Sequence, residues 1–214
     1  MKDISFYINE AKEAKSMSDE QKIDKLFNII ENDIDIKNLW AHDGNLMIDE
    51  ENFKSLETLF GEKFKNIKSN TKKNIKNNPV ILVCNHYPNK NKNVYFVWKD
   101  GNDIKYVKYF RAILKDTPNK FEIITSDNLS KWIEKEIGDS KMYSYKEAVG
   151  FNLPKDAFLN KIEDWVKEWN KIIDKDLNKY KPTKDELEKE RSQHRVMKNA
   201  ADTINAANMR DHYY

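Results

Sequence analysis

The chain has 214 residues and a formal net charge of +2, with 39% hydrophobic and 12% aromatic side chains. That length gives one domain, or one domain with an arm, and no apolar run approaches the ~18 residues of a membrane-spanning helix. The single cysteine, Cys84, excludes an internal disulfide framework and a multi-cysteine zinc site. Met1 to Ile4 carries no leader-like hydrophobic run, so the expected location is the cytoplasm, or the virion for a phage-encoded protein.

The small net charge hides an asymmetry. Residues 1–60 carry 7 basic and 14 acidic side chains, whereas residues 61–125 carry 14 basic and 5 acidic. An acidic flank beside a basic centre is either self-complementary or marks a meeting place for an anionic partner. Lysine outnumbers arginine 34 to 4, with abundant asparagine and isoleucine, which is the bias of an AT-rich genome. Such a bias places lysine at solvated positions generally, and the scarce arginine is the better fork for phosphate and base edges.

In chain order, Ile4, Ile8 and Ala11 mark a short first helix. Ser18 to Gln21 fits a capping box, and Ile23, Leu26, Phe27 and Ile30 give the helix that follows its apolar stripe. Residues 32–45 read as a loop with Trp40 as an anchor. A third helix runs from about Asp49 through Phe53, Leu56, Leu59 and Phe60 to a stop at Gly61. Glu62 to Asn78 holds six lysines against one acid and reads as a frayed helix or a basic connector.

The centre changes character. Val80 to Cys84 is a continuous apolar run, the pattern of a strand buried on both faces. Val94 to Trp98 and Ile104 to Phe110, rich in β-branched and aromatic residues, flank the hairpin signal Asp100-Gly101. Phe121 to Thr125 follows a turn at Asp116 to Asn119. The expected core is therefore an antiparallel meander of about four strands over residues 79–125. A two-residue loop, Gly101-Asn102, would set Asp100 against Asp103, an unfavourable like-charge pair. An odd-length loop is expected instead. It places Val94, Phe96, Trp98, Ile104, Tyr106 and Phe110 on a core face, with Lys108 as an exception, and Tyr95, Val97, Lys99, Lys105, Val107, Tyr109 and Arg111 on a wet one.

Beyond the sheet, Ser126 and Asp127 cap a helix with Leu129, Trp132, Ile133 and Ile137 inward, ended by Gly138. Residues 141–153 read as a loop pinned by Tyr143, Tyr145 and Phe151. From Pro154, the residues Phe158, Ile162, Trp165, Trp169, Ile172, Ile173, Leu177 and Tyr180 recur at helical spacing until Pro182, which predicts a long amphipathic helix across the sheet. Thr183 to Glu186 opens a last helix that is polar in its first half and carries a narrow stripe of small residues in its second. A helix this polar needs a partner surface. The fold class is α+β, with a domain over residues 1–182 and a helical C-terminal arm over 183–214.

Candidate chemistry is sparse. Cys84 and His86 are a thiol and an imidazole two residues apart on a strand, but Cys84 closes an apolar run where a free cysteine packs as a small core residue. His42, Asp43, Asp33 and Asp35 match no specific zinc or calcium spacing. Asp100 or Asp103 could pair with Glu122 as in a metal-dependent nuclease, yet the lysine two residues on is missing. No glycine-rich phosphate loop, nucleophile elbow or His-Glu-x-x-His helix occurs. The expectation is no catalytic residue, no metal and no cofactor.

The constellation to test is the wet sheet face, where Tyr95, Lys99, Lys105, Tyr109 and Arg111 interleave rings with cations as surfaces that stack bases and neutralise phosphates do. Lys63, Lys65, Lys68, Lys72, Lys73, Lys76, Lys90 and Lys92 extend that field. The arm supplies a docking set of Val196, Met197, Ala200, Ile204, His212, Tyr213 and Tyr214. The chain is read as a non-enzymatic assembly or interaction protein, such as a phage- or virus-encoded connector-like component, that docks through its arm onto a protein partner or another copy of itself. The alternative is a nucleic-acid-binding protein using the sheet face, and behind it a small nuclease or hydrolase. No membrane partner is expected.

Overall fold

The computed structural model describes residues 12–34, 46–85, 91–110, 120–138 and 148–177, together with Ser192. The chain divides into two compact units, Met1–Asp174 and Lys175–Tyr214. The first holds the sheet and almost all of the described helices. Among the described residues no helix is long and apolar enough to cross a membrane.

The sheet is antiparallel and has six strands: β1 (Leu46–Ile48), β2 (Val80–Asn85), β3 (Lys92–Asp100), β4 (Asp103–Phe110), β5 (Lys120–Ser126) and β6 (Val149–Asn152). Their order is β5-β4-β3-β2-β6, and β1 pairs with β3 beside this path. The predicted meander is there as β2 to β5. Two short strands join it that local pattern did not reveal, β1 in front of the third predicted helix and β6 inside the predicted 141–153 loop. β1 and β4 share one side of β3, β1 against residues 92–94 and β4 against 97–100.

The hairpin register corrects the odd-loop expectation. Asp100 does lie opposite Asp103, and Trp98 lies opposite Lys105. Gly101, at φ +59°, takes the first of the two loop positions, where tight hairpin turns favour glycine. The like-charge cost is small because both aspartates are exposed and Lys105 Nζ sits 2.6 Å from Asp100 Oδ2. The consequence is large, since a one-residue shift turns every side chain of β4 to the other face. Val94, Phe96, Trp98, Lys105, Val107 and Tyr109 share one face, and Tyr95, Val97, Lys99, Ile104, Tyr106 and Lys108 the other.

Neither face is wet. Helices α1 (Asp19–Asp33), α2 (Glu50–Phe60) and α5 (Lys155–Leu177) cover the first. There Phe96 meets Phe27, Phe158 and Trp165 at centroid distances of 5.8, 5.5 and 6.1 Å, and Trp98 meets Phe158 at 5.6 Å. Glu31 of α1 accepts from the indole nitrogens of both Trp165 (2.8 Å) and Trp169 (3.2 Å), which locks α5 to α1. Helix α3 (Ile67–Asn74) and the short α4 (Leu129–Ile133), with its π turn Glu134–Gly138, cover the second face. Ile67, Ile75, Trp132, Ile133 and Ile137 pack there on Val80, Leu82, Cys84, Tyr95, Val97, Ile104 and Tyr106.

Local signals set the helix ends. Ser18 and Gln21 form the reciprocal capping box of α1. Asp49 caps α2 through Asn52 N at 2.7 Å, and Gly61 ends it at φ +74°. The cap of α4 is Asn128, not Ser126 or Asp127. Asp33 Oδ2 accepts from Asp49 N and Asn52 Nδ2 at 2.9 and 2.7 Å and ties α1 to α2. At β5, Asn170 of α5 pairs with both backbone groups of Phe121, accepting from its N at 2.7 Å and donating to its O at 3.0 Å.

Candidate anion-binding site

The predicted surface residues do not assemble into one surface. Tyr95 and Tyr109 are both buried, on opposite faces of the sheet. Tyr95 packs on Trp132 and donates its hydroxyl to Glu136 O at 3.1 Å, while Tyr109 packs on Phe121. Lys99 is exposed near the hairpin tip, and Lys105 is half-buried on the face opposite to it. Arg111 and the arm residues Val196, Met197, Ala200, Ile204, His212, Tyr213 and Tyr214 lie outside the described residues. So do His42, Asp43, Asp35 and His86 of the rejected metal and thiol–imidazole sets. Cys84 is buried, and burial pushes its thiol up to about 12. A protonated, desolvated thiol is a poor nucleophile. Among the described residues no group of His, Cys, Asp and Glu could hold a metal ion.

The lysines named as an extension of that field do converge. Phe64 and Gly150 exchange two backbone hydrogen bonds, Phe64 N to Gly150 O at 2.8 Å and Gly150 N to Phe64 O at 2.9 Å, which adds one paired residue outside β6. Neighbours in extended backbone point to opposite faces. Phe64 therefore covers Gly150, while Lys63 and Lys65 turn to the other side. Across the strands, Val149 pairs with Val83, and Asn85 pairs with Lys92, all on that same side. Phe53 of α2 comes down over them, edge-on to Phe151 at 6.2 Å.

The result is a cavity of about 340 Å³ lined by Phe53, Lys63, Lys65, Val83, Asn85, Lys92, Ala148 and Val149. The Nζ of Lys92 lies 2.9 Å from Asn85 Oδ1, 2.9 Å from Glu50 Oε2 and 5.0 Å from the Phe53 ring centre. Lys63 pairs with Glu57 and sits 5.8 Å from the same ring centre. Lys65 is exposed and makes no ion pair among the described residues. Three ammonium groups thus surround an apolar floor, against two carboxylates. Lys63 and Glu57 are 40% and 31% exposed, so theirs is a surface pair worth about 0–1 kcal/mol, whereas Lys92 is only 14% exposed and is held by both Glu50 and Asn85.

A second cavity, of about 390 Å³, lies between α1 and α5, with Asp24, Glu31, Asp164, Glu168 and Trp165 in its wall. Three of its acids are already engaged: Glu31 by the two indoles, Asp24 by Lys161 and Asp164 by Lys167.

In the sequence Lys63, Lys65 and Lys92 belong to a diffuse basic field and Phe53 to the apolar stripe of a helix, and nothing marks Asn85. The available signal was the alternation Lys63-Phe64-Lys65, a period-two pattern of cation, ring, cation. Fold and site together define an α+β protein with a cation-walled pocket at one end of an open antiparallel sheet. No known family, no curated protein and no solved structure matches the chain.

Proposed function

We propose that this chain is a non-enzymatic binding protein that holds an anionic group of its partner in the pocket between α2 and the β6–β2–β3 end of the sheet. The convergence of Lys63, Lys65 and Lys92 on one cavity with Asn85 carries this reading. A cationic wall over an apolar floor, with a carboxamide within reach, favours an anion by charge and by shape. Titration with tripolyphosphate followed by calorimetry tests it. The parent binds saturably, and Lys63→Gln with Lys65→Gln weakens binding at least about tenfold, the loss expected for two charge-assisted contacts. A parent that takes up no tripolyphosphate overturns the reading.

The wider reading is an assembly component, of the kind a phage or virus encodes. Its support is the AT-rich composition and the polar, small-faced stretch 183–214.

A further inference from the structure

We propose that the pocket is the entry of a track for single-stranded nucleic acid, which leaves it along α3. This rests on the anion-pocket reading and adds the partner's class. The observation is a continuity of cations around the outer edge of the sheet. Lys63 and Lys65 face the pocket on the α1–α5 side, with Phe64 between them paired to the sheet edge, and after Lys65 the chain enters α3 on the opposite side. Ile67, Thr71 and Ile75 are the buried side of that segment. Lys68, Lys72, Lys73 and Lys76 are exposed, and the last three make no ion pair among the described residues. α3 itself is eight residues long, roughly 12 Å at 1.5 Å per residue, so the row of charges spans several phosphates.

The row bends from one face of the sheet to the other. A duplex, stiff over about 150 base pairs, does not follow such a bend, whereas a single strand does. The pocket itself separates phosphate from carboxylate partners. Phe53, Val83 and Val149 give it an apolar floor that a sugar and base cover and that an acidic peptide's short carboxylates leave bare. Lysine meets phosphate as a point charge, which suits a backbone read without sequence preference.

The test is fluorescence anisotropy of a labelled oligothymidylate against the full chain, over a series of salt concentrations. The exposed track variant, Lys72→Gln with Lys73→Gln, loses two phosphate contacts. Its log–log salt slope becomes shallower by about 1.4, and its affinity at 0.1 M salt falls about 25-fold. Its tripolyphosphate affinity stays that of the parent, since neither lysine lines the pocket. The pocket variant, Lys63→Gln with Lys65→Gln, loses both ligands. A track variant that binds the oligonucleotide like the parent overturns the inference. So does a duplex that binds as tightly as the single strand, or polyglutamate of equal charge that competes as well as the oligonucleotide. If tripolyphosphate binds and the oligonucleotide does not, the track falls and the pocket stands; if neither binds, both fall.

Discussion

Cys84 shows how burial decides the chemistry of a single atom. Its Sγ is enclosed between the sheet and α3–α4, and the thiol is pushed up to about 12 by loss of solvent alone. In the unfolded chain it titrates near its ordinary value of about 8.5. Above that pH the unfolded state has released a proton that the native state keeps, so stability falls as pH rises. Below about 8.5 both states hold the proton and the contribution is constant. Tyr106 acts in the same direction, raised first by burial and then by the nearby Glu136 carboxylate. Urea unfolding followed from pH 8 upward should therefore give a midpoint that declines with pH, and less steeply in Cys84→Ala. In neutral buffer a disulfide reagent should modify Cys84 only as fast as the chain opens; prompt stoichiometric reaction of the native protein would contradict its placement.

At the scale of elements, β6 and the residue that pairs with it form the least obvious joint in the molecule. Gly150 lies under the Phe64 ring, and a Cβ there would come within 2.8 Å of Phe64 Cε1. Gly150→Ala should thus cost about 1–3 kcal/mol, as overpacking does. It should also lower tripolyphosphate affinity, because pushing Phe64 outward displaces Lys63 and Lys65. Denaturant midpoints together with calorimetry check both, and an unchanged midpoint would mean the ring moves aside freely. This joint was invisible in the sequence, and the reason is physical. Helices α1, α2 and α5 were legible because a capping box, a terminal glycine and the Phe158–Trp169 stripe are signals within a few residues of one another, whereas α3, with no side-chain cap, read equally as a connector. Strands β1 and β6, three and four residues long, take their identity from partners far along the chain. The hairpin register failed for a related reason. The Asp100–Asp103 repulsion was weighed without Lys105, which only the folded hairpin brings to Asp100. For the pocket the lysines were nameable beforehand, but their meeting with Phe53 and Asn85 depends on the Phe64–Gly150 pair.

For the whole molecule, the acidic first segment and the basic second one are partly complementary to each other, since Glu50 and Glu57 pair with Lys92 and Lys63. Among the described residues, Lys65, Lys72, Lys73 and Lys76 around the sheet edge make no ion pair, with Glu62 the acid of that stretch. Association with a protein partner belongs in the proposal to residues 183–214. Deleting them should abolish assembly, as size-exclusion with light scattering would read, while leaving tripolyphosphate binding intact; normal assembly of the shortened chain would refute the arm. The hydrogen bonds of Asn170 to Phe121 bear on how copies could join. A side-chain amide already occupies the donor and the acceptor of an outermost strand, and Phe64 does the same at Gly150 on the far side. At those two positions the ladder is closed to an incoming strand, a common protection against edge-to-edge polymerisation. Copies of this chain would therefore not extend the sheet into one another through Phe121 of β5 or Gly150 of β6, and a continuous β-ribbon could not be propagated across those two positions.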